Sequence, residues 1–127
     1  MDEQTILYVD DNKVNLNIIQ RMLQRRGYNC IVTNEAKNTL SLVNQHQPDL
    51  IFLDIHMPEI NGYDVLKQVK STSMGQKLPI IALTANASAH ERHACHIAGF
   101  TDFVAKPINR QELKHIIDKH LMNSENS

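Results

Sequence analysis

The 127-residue chain has two cysteines, no tryptophan and no excess of charge of either sign. Its 13 basic and 14 acidic side chains leave a formal net charge of -1, which favours neither a nucleic-acid-binding surface nor an acidic disordered segment. Cys30 and Cys95 are too few for a secreted disulfide framework, so we expect two reduced thiols. These absences favour one folded domain of about the commonest size.

Long apolar runs are absent as well. No run approaches the roughly 18 residues that a membrane span needs, and the N-terminal sequence MDEQTILYVDD lacks the basic region of a secretory signal. We therefore expect a cytoplasmic protein with no membrane insertion and no direct contact with nucleic acid.

Short apolar segments alternate with helical patterns along the chain. Most of these segments are apolar on both faces, as strands are in a parallel sheet that helices cover on both sides. The predicted strands are residues 5–10, 28–33, 49–54, 79–84 and 102–105.

Apolar stripes at helical spacing fill the gaps between the strands. Gly27, Gly75 and Gly99 each follow a helical stretch, as glycines at helix ends do. The fourth stripe, around residues 90–97, is weak. The other stripes are Ile18, Ile19, Met22 and Leu23, then Leu40 and Val43, then Val65, Leu66 and Val69, and finally Leu113, Ile116, Ile117 and Leu121.

This alternation predicts an α/β fold, a flavodoxin-like (βα)₅ doubly wound sandwich with a five-stranded parallel sheet in the order 2-1-3-4-5. We expect the domain to span residues 1–122 and the polar residues 123–127 to form a flexible tail. In such a sheet, ligands bind beyond the carboxyl ends of the strands, between strands 1 and 3.

Five chemically complementary side chains fall at those strand ends: Asp10 and Asp11 after strand 1, Asp54 at the end of strand 3, Thr84 at the end of strand 4 and Lys106 after strand 5. Three carboxylates in one crevice repel each other unless a cation neutralises them. Oxygen ligands favour a hard cation such as Mg²⁺, which completes its shell with water and phosphate oxygens. A phosphoryl group is therefore implied.

The same residues have individual roles in that chemistry. Lys106 and the Thr84 hydroxyl suit phosphate oxygens, and Asp54, alone at the end of the central strand, suits a nucleophile that forms an aspartyl phosphate. Each has a simpler alternative. Asp11 or Asn12 would cap the first helix, and the other residues would be ordinary polar groups at strand ends.

The chain resembles the receiver domain of two-component response regulators from about residue 6 to 121. The resemblance rests on YVDDN, LDIHMPEINGYD, ALTAN and GFTDFVAKPI. It implies that Asp10, Asp11, Asp54 and the backbone carbonyl of His56 bind Mg²⁺, and that Asp54 accepts phosphate from a phosphohistidine. It also implies a cis Lys106–Pro107 peptide bond.

The resemblance further implies how a signal leaves the site. Phosphorylation draws Thr84 inward, the ring of Phe103 turns in behind it, and the face of helix 4, strand 5 and helix 5, residues 88–121, is read by a partner. The lifetime of the phosphorylated form depends partly on His56 and Asn86. Such a domain is a phosphoacceptor and no ordinary enzyme: it phosphorylates itself with Mg²⁺ and dephosphorylates slowly.

The segments ALTANA and GFTDFVAKPI are similar to receivers of hybrid histidine kinases. The expected partners are a sensor histidine kinase or a histidine phosphotransfer domain, with an output partner that the sequence does not name. The chain is then either a stand-alone regulator or a fragment of a longer protein, and in a phosphorelay it would pass its phosphate to a histidine phosphotransfer domain.

The sequence also allows other functions to be compared with a receiver. A haloacid-dehalogenase-type phosphohydrolase spaces its acidic pair as DxD, whereas the pair in YVDDN is adjacent, and nucleotide-binding loops of the GxxxxGK[ST] or GxGxxG type are absent. His90, His93 and His96 could form a metal site, but their spacing drifts around a helix, so an exposed titratable surface is the alternative. An interaction domain that is never phosphorylated also stays open.

Overall fold

The computed structural model describes residues 4–121, in which five strands alternate with five α-helices. All five predicted strands are present, each within one residue of its predicted ends. No helix in this range is both long and apolar enough to cross a bilayer. The strands are β1 (Thr5–Val9), β2 (Asn29–Thr33), β3 (Leu50–Asp54), β4 (Ile80–Thr84) and β5 (Asp102–Ala105). The helices are α1 (Lys13–Arg25), α2 (Thr39–His46), α3 (Gly62–Lys70), α4 (Ala89–Ala98) and α5 (Arg110–His120), and a 3₁₀ turn (Ala36–Asn38) precedes α2.

The strands form one parallel sheet in the order β2-β1-β3-β4-β5, as predicted. Every residue of β3 and β4 is buried, because helices cover both faces of the sheet. One core packs α1 and α5 against the sheet and the other packs α2, α3 and α4. Cys30 and Cys95 are free thiols in different cores. The predicted tail, residues 123–127, lies outside the described residues, and the domain boundary at residue 122 stays a prediction.

Side-chain caps fix where several helices begin. The side chains of Asn12, Asn61, Ser88 and Asn109 each accept the backbone N–H three residues later, which satisfies a donor that the helix itself leaves unpaired. Asn12 therefore caps α1, as one of the two alternatives proposed. Asp11 does not serve as a cap and is exposed.

The prediction that Gly75 ends a helix was wrong, whereas Gly27 and Gly99 follow α1 and α4 with φ of 90° and 111°. The third helix ends earlier, at Lys70, because the Thr72 hydroxyl bonds to the carbonyl of Val69 and to the N–H of Gly75 and turns the chain. A Cβ on Gly75 would lie 1.8 Å from the Val69 carbonyl oxygen, so this position requires glycine for close packing.

Two predicted apolar stripes need correction. In α1, Leu16, Ile19 and Leu23 face the sheet at helical spacing, while Ile18 points away and is 52% exposed. In α4 the weak stripe was expected to end at Ile97, yet Ile97 is 70% exposed. Both α1 and α4 therefore carry an exposed apolar side chain, Ile18 and Ile97 respectively.

Candidate functional site

Buried polar groups concentrate at the carboxyl edge of the sheet. The buried polar or charged residues among those described are Asp10, Thr39, Asp54, Thr84 and Glu91. Three of them, Asp10, Asp54 and Thr84, are residues that the sequence predicted for the site. Burial of a polar group is unfavourable unless it is paired, so their positions indicate a specific arrangement and not ordinary strand ends.

Asp54 ends the central strand β3, and its carboxylate is held at both oxygens. The backbone N–H of His56 donates to Oδ1 at 3.1 Å, and the ammonium of Lys106 donates to Oδ2 at 2.8 Å. Asp54 is 1% exposed, and this burial raises its carboxyl pKa, an effect that the contact with Lys106 offsets only in part. The charged form of Asp54 is thus held at a cost to the fold.

Asp10 is completely buried beside it. Its Oδ1 accepts the backbone N–H of Asn12 at 3.1 Å and the Lys106 ammonium at 3.2 Å, while Oδ2 accepts the side-chain amide of Asn15 at 3.1 Å. Burial lowers the pKa of Lys106, but its contacts with Asp54 and Asp10 outweigh that effect and raise it. Lys106 therefore remains a firmly charged bridge between two buried carboxylates.

The acidic cluster fits a hard divalent cation. Asp10, Asp11 and Asp54 offer carboxylate oxygens that lie within 4.8 Å of one another. Three carboxylates face one ammonium, so negative charge remains for a cation to neutralise, and ligands that are all oxygen suit Mg²⁺. Asp11 is exposed and leaves this side of the cluster open to solvent. Within residues 4–121 it is the only such cluster of acidic, histidine or cysteine side chains.

The histidines of α4 form no such cluster. His90, His93 and His96 are all exposed on the helix surface, as the alternative to a metal site predicted. His56 behaves differently, because its ring contacts the buried carboxylate of Glu91 on α4, with Nε2 at 2.9 Å from Oε1. Its backbone carbonyl remains a predicted metal ligand.

Thr84 lies at the end of β4 but does not contact the carboxylates. Its hydroxyl accepts the N–H of Asn86 at 3.0 Å and donates to the carbonyl of Asn86 at 3.4 Å. The N–H of Lys106 donates to the Thr84 carbonyl at 2.8 Å, which ties the ends of β4 and β5 together. The Lys106–Pro107 peptide bond that follows is cis, as the resemblance implied.

Phe103 on β5 is partly buried and packs against the core that contains α2, α3 and α4. Its ring is half-buried, and the guanidinium carbon of Arg92 on α4 lies 5.2 Å from the ring centroid. At that distance the cation attracts the ring face. The predicted switch residues Thr84 and Phe103 are therefore held by Asn86 and Arg92 respectively.

Sequence reasoning missed an apolar groove next to the carboxylates. Val14 and Ile18, one turn apart on α1, are 70% and 52% exposed. With Lys106 and Pro107 they line a groove of about 430 Å³ that also contains Asn12, Asn15 and Ala85. A sequence signal for this groove exists. Val14 and Ile18 are four residues apart and so share one face of α1, whereas the buried residues Leu16, Ile19 and Leu23 lie on another face.

The geometry agrees with the comparison of this chain with known proteins. A family model described as response regulator receiver domain matches residues 6–118. The chain belongs to this family. Membership of the receiver family argues against the two alternatives considered from the sequence, a phosphohydrolase and a nucleotide-binding protein.

Curated relatives include both stand-alone and hybrid proteins. The polar-differentiation response regulator DivK of Brucella anthropi is 30% identical, with 93% of this chain and 96% of that protein covered. The hybrid signal transduction histidine kinase L of Dictyostelium discoideum is 38% identical over 91% of this chain, which spans only 7% of that kinase.

Solved structures share the fold closely. The receiver domain of the sensor histidine kinase PA1611 from Pseudomonas aeruginosa is 34% identical, with a TM-score of 0.84 and coverage of 94% of this chain and 98% of that one. That crystal structure is described as having a magnesium ion coordinated in the active site cleft. The chemotaxis protein CheY4 of Vibrio cholerae is 25% identical, with a TM-score of 0.89 and coverage of 94% and 100%.

Proposed function

We propose that this receiver domain accepts a phosphoryl group on Asp54 from a phosphohistidine, in a Mg²⁺-dependent reaction in the cytoplasm. The observation that carries the proposal is the Asp54 carboxylate, which is buried at the end of the central strand and held by Lys106 and the His56 N–H beside a second buried carboxylate. It is a paired, preorganised nucleophile within an acidic cluster.

In the transfer, an Asp54 carboxylate oxygen attacks phosphorus and forms the new O–P bond. The N–P bond of the phosphohistidine breaks, and its electron pair returns to the imidazole nitrogen, which then takes up a proton. The Lys106 ammonium lies 2.8 Å from Asp54 Oδ2, so it is placed to hold an oxygen of the incoming group. The product is an aspartyl phosphate, and the domain dephosphorylates slowly by hydrolysis.

Asp10, Asp11, Asp54 and the His56 carbonyl would hold the Mg²⁺. When bound, this ion would neutralise the carboxylates and offer a coordination position to a phosphoryl oxygen. The complete burial of Asp10 and the unmatched negative charge of the cluster support this assignment.

The phosphoryl group adds about two negative charges and three acceptor oxygens next to Thr84 and Lys106. The Thr84 hydroxyl then exchanges its contacts with the Asn86 backbone for a phosphoryl oxygen, and the ring of Phe103 leaves Arg92 and turns inward. These movements alter the face of α4, β5 and α5, where a partner reads the signal. The exposure of Ile97 on α4 supports a binding role for that face.

The phosphohistidine donor belongs to a sensor histidine kinase or a histidine phosphotransfer domain. The α1 groove lined by Val14, Ile18 and Pro107 also includes Lys106, which contacts Asp54, so this groove is the proposed docking surface for the donor. Exposed apolar side chains beside a reactive group favour a protein partner there. Similarity to a hybrid histidine kinase favours a phosphorelay, in which this domain passes its phosphate to a histidine phosphotransfer domain.

The proposal is tested by the intact mass of the protein after incubation with acetyl phosphate, with and without Mg²⁺. The wild type should gain one phosphoryl group only when Mg²⁺ is present, and Asp54→Asn should gain none. Asp49→Asn is the matched control, because Asp49 precedes the opposite end of the same strand and is exposed. It should be phosphorylated like the wild type.

Absence of phosphorylation in a folded wild type would refute the acceptor assignment, as would phosphorylation that survives Asp54→Asn. Either result would favour the other hypothesis, an interaction domain of receiver fold that is never phosphorylated.

A further inference from the structure

The side-chain amide of Asn15 contacts the buried carboxylate of Asp10 from the first turn of α1. Its Nδ2 donates to Asp10 Oδ2 at 3.1 Å. Oδ1 already accepts two hydrogen bonds, from the Asn12 N–H and the Lys106 ammonium. A carboxylate offers about four acceptor sites. The acceptor site that remains free for a further ligand is therefore on Oδ2, the oxygen to which Asn15 donates.

Asp10, Asn12 and Asn15 form a closed ring of three hydrogen bonds. The Asn12 N–H donates to Asp10, the Asn15 N–H donates to the Asn12 side chain at 3.1 Å, and the Asn15 amide donates back to Asp10. The terminal torsion of an aspartate is intrinsically loose. The ring ties the plane of this carboxylate to the first turn of α1.

We propose that Asn15 is a positioning residue whose amide holds Asp10 in the orientation that binds the divalent cation. The inference rests on the proposed function, which assigns Asp10 to Mg²⁺. Asp10 is 0% exposed, so solvent does not stand ready to replace the amide. Outer-shell partners of metal ligands typically change metal affinity by about 10- to 100-fold when they are removed.

The alternative is that Asn15 is merely a polar residue at the start of a helix. A matched pair of substitutions separates the two explanations, because Asn17 lies on the same helix, is exposed and makes none of these contacts. Asn15→Ala and Asn17→Ala make the same change to helix composition, but only the first removes a donor from Asp10.

The test is a calorimetric titration of MgCl₂ into metal-free protein, with the unfolding midpoint in EDTA recorded for each variant. Asn15→Ala should weaken Mg²⁺ binding by about tenfold, and Asn17→Ala should match the wild type. Asn15→Gln, which keeps an amide of longer reach, should recover part of the loss. Asn15→Leu keeps the approximate shape without the donor, and it decides the question if Asn15→Ala does not fold.

A second readout follows the rate of phosphorylation by acetyl phosphate as Mg²⁺ is varied. The Mg²⁺ concentration for half-maximal rate should rise by the same factor as the dissociation constant, whereas a general loss of structure would lower the rate at every concentration.

Equal affinities for Asn15→Ala, Asn15→Leu and Asn17→Ala would overturn the inference and leave the proposed function standing. A wild type that neither binds Mg²⁺ nor gains phosphate on Asp54 would instead refute the proposed function, and with it the inference.

Discussion

Asp54→Asn should make the metal-free fold more stable, although it removes the proposed phosphoryl acceptor. The reason is that Asp54 is an ionised carboxylate buried next to another one, and burial raises its pKa despite the contact with Lys106. A carboxyl group whose pKa is higher in the folded state opposes folding whenever it is ionised. Asparagine has nearly the same shape and no charge.

The size of the effect follows from the contacts. Carboxylate oxygens of Asp54 and Asp10 lie within 4.8 Å, which at an effective dielectric constant of about 20 corresponds to a repulsion of about 3.5 kcal/mol. The attraction between Asp54 and Lys106 at 2.8 Å is about 6 kcal/mol on the same scale. Desolvation of a buried charge adds several kcal/mol against the ionised form. Repulsion and desolvation together exceed the attraction to Lys106, so the substitution should raise the free energy of unfolding by about 1 kcal/mol or more.

Mg²⁺ should reverse this order. A ligand present at 100 times its dissociation constant stabilises the folded state by about 2.7 kcal/mol. The variant lacks one of the proposed carboxylate ligands and gains less. The wild type should therefore be the more stable protein in saturating Mg²⁺.

Urea unfolding followed by circular dichroism measures both effects, once in EDTA and once in Mg²⁺. The difference in EDTA should be full above the raised pKa of Asp54 and should shrink as the pH falls towards the ordinary value of 3.8, because the wild-type carboxyl group then takes up a proton. Asp49→Asn serves as the control, with no reversal by Mg²⁺. A variant less stable than the wild type in EDTA at neutral pH would refute the reasoning and show that the pair with Lys106 outweighs repulsion and desolvation.

Further substitutions test other parts of the structure. Lys106→Met leaves two buried carboxylates without their ammonium partner and should lower the free energy of unfolding of the metal-free protein by about 3–5 kcal/mol. Because the Lys106 pKa is raised in the folded state, the wild type should keep this contribution below pH 10.5 and lose it at higher pH. Urea unfolding at several pH values measures both effects. Gly62→Ala places a Cβ 2.7 Å from the Ile55 Cα and should lower the free energy of unfolding by about 1–3 kcal/mol, as measured by thermal unfolding. An unchanged unfolding midpoint would contradict the close contact with the loop after β3. Gln47→Gly relieves a φ of 48° after α2 and should stabilise the fold by about 0.5–1 kcal/mol, with a higher unfolding midpoint as the readout. Ile18→Asp should slow transfer from a phosphorylated histidine phosphotransfer domain about tenfold but leave acetyl phosphate reactions unchanged, and equal slowing by Ile97→Asp would contradict a donor groove on α1.

The strands and the residues at their carboxyl ends could be predicted from the sequence because each depends on a regular physical pattern. Parallel strands covered on both faces are apolar throughout, as β3 and β4 are, so their limits stand out against polar neighbours. Parallel strands also have their carboxyl ends at one edge of the sheet, so Asp10, Asp54 and Lys106 could be expected at the same edge. The structure shows that the Lys106 side chain reaches both carboxylates across that edge.

The supporting contacts could not be predicted in the same way. Whether a side chain of α1 faces the sheet or the solvent depends on the rotation of the helix about its axis, and this rotation exposes Ile18 and turns Asn15 towards Asp10. The hydroxyl of Thr84 bonds to the backbone of Asn86, two residues later. The place of Thr84 at the end of β4 could not show whether its hydroxyl contacts this backbone or the carboxylates, because threonine readily bonds to nearby backbone groups.

Glu91 shows why a local pattern leaves such choices open. Ser88 and Glu91 have the spacing of a capping box, in which the glutamate side chain would return to the serine N–H. The first half of the box forms, since the Ser88 hydroxyl accepts the Glu91 N–H at 3.1 Å. The Glu91 carboxylate instead pairs with the ring of His56, which the loop after Asp54 brings to 2.9 Å. The partner is 35 residues away in sequence, so only the packing of that loop against α4 selects it. The same packing joins His56, whose backbone carbonyl is a proposed metal ligand, to the face of α4, β5 and α5 that a partner would read.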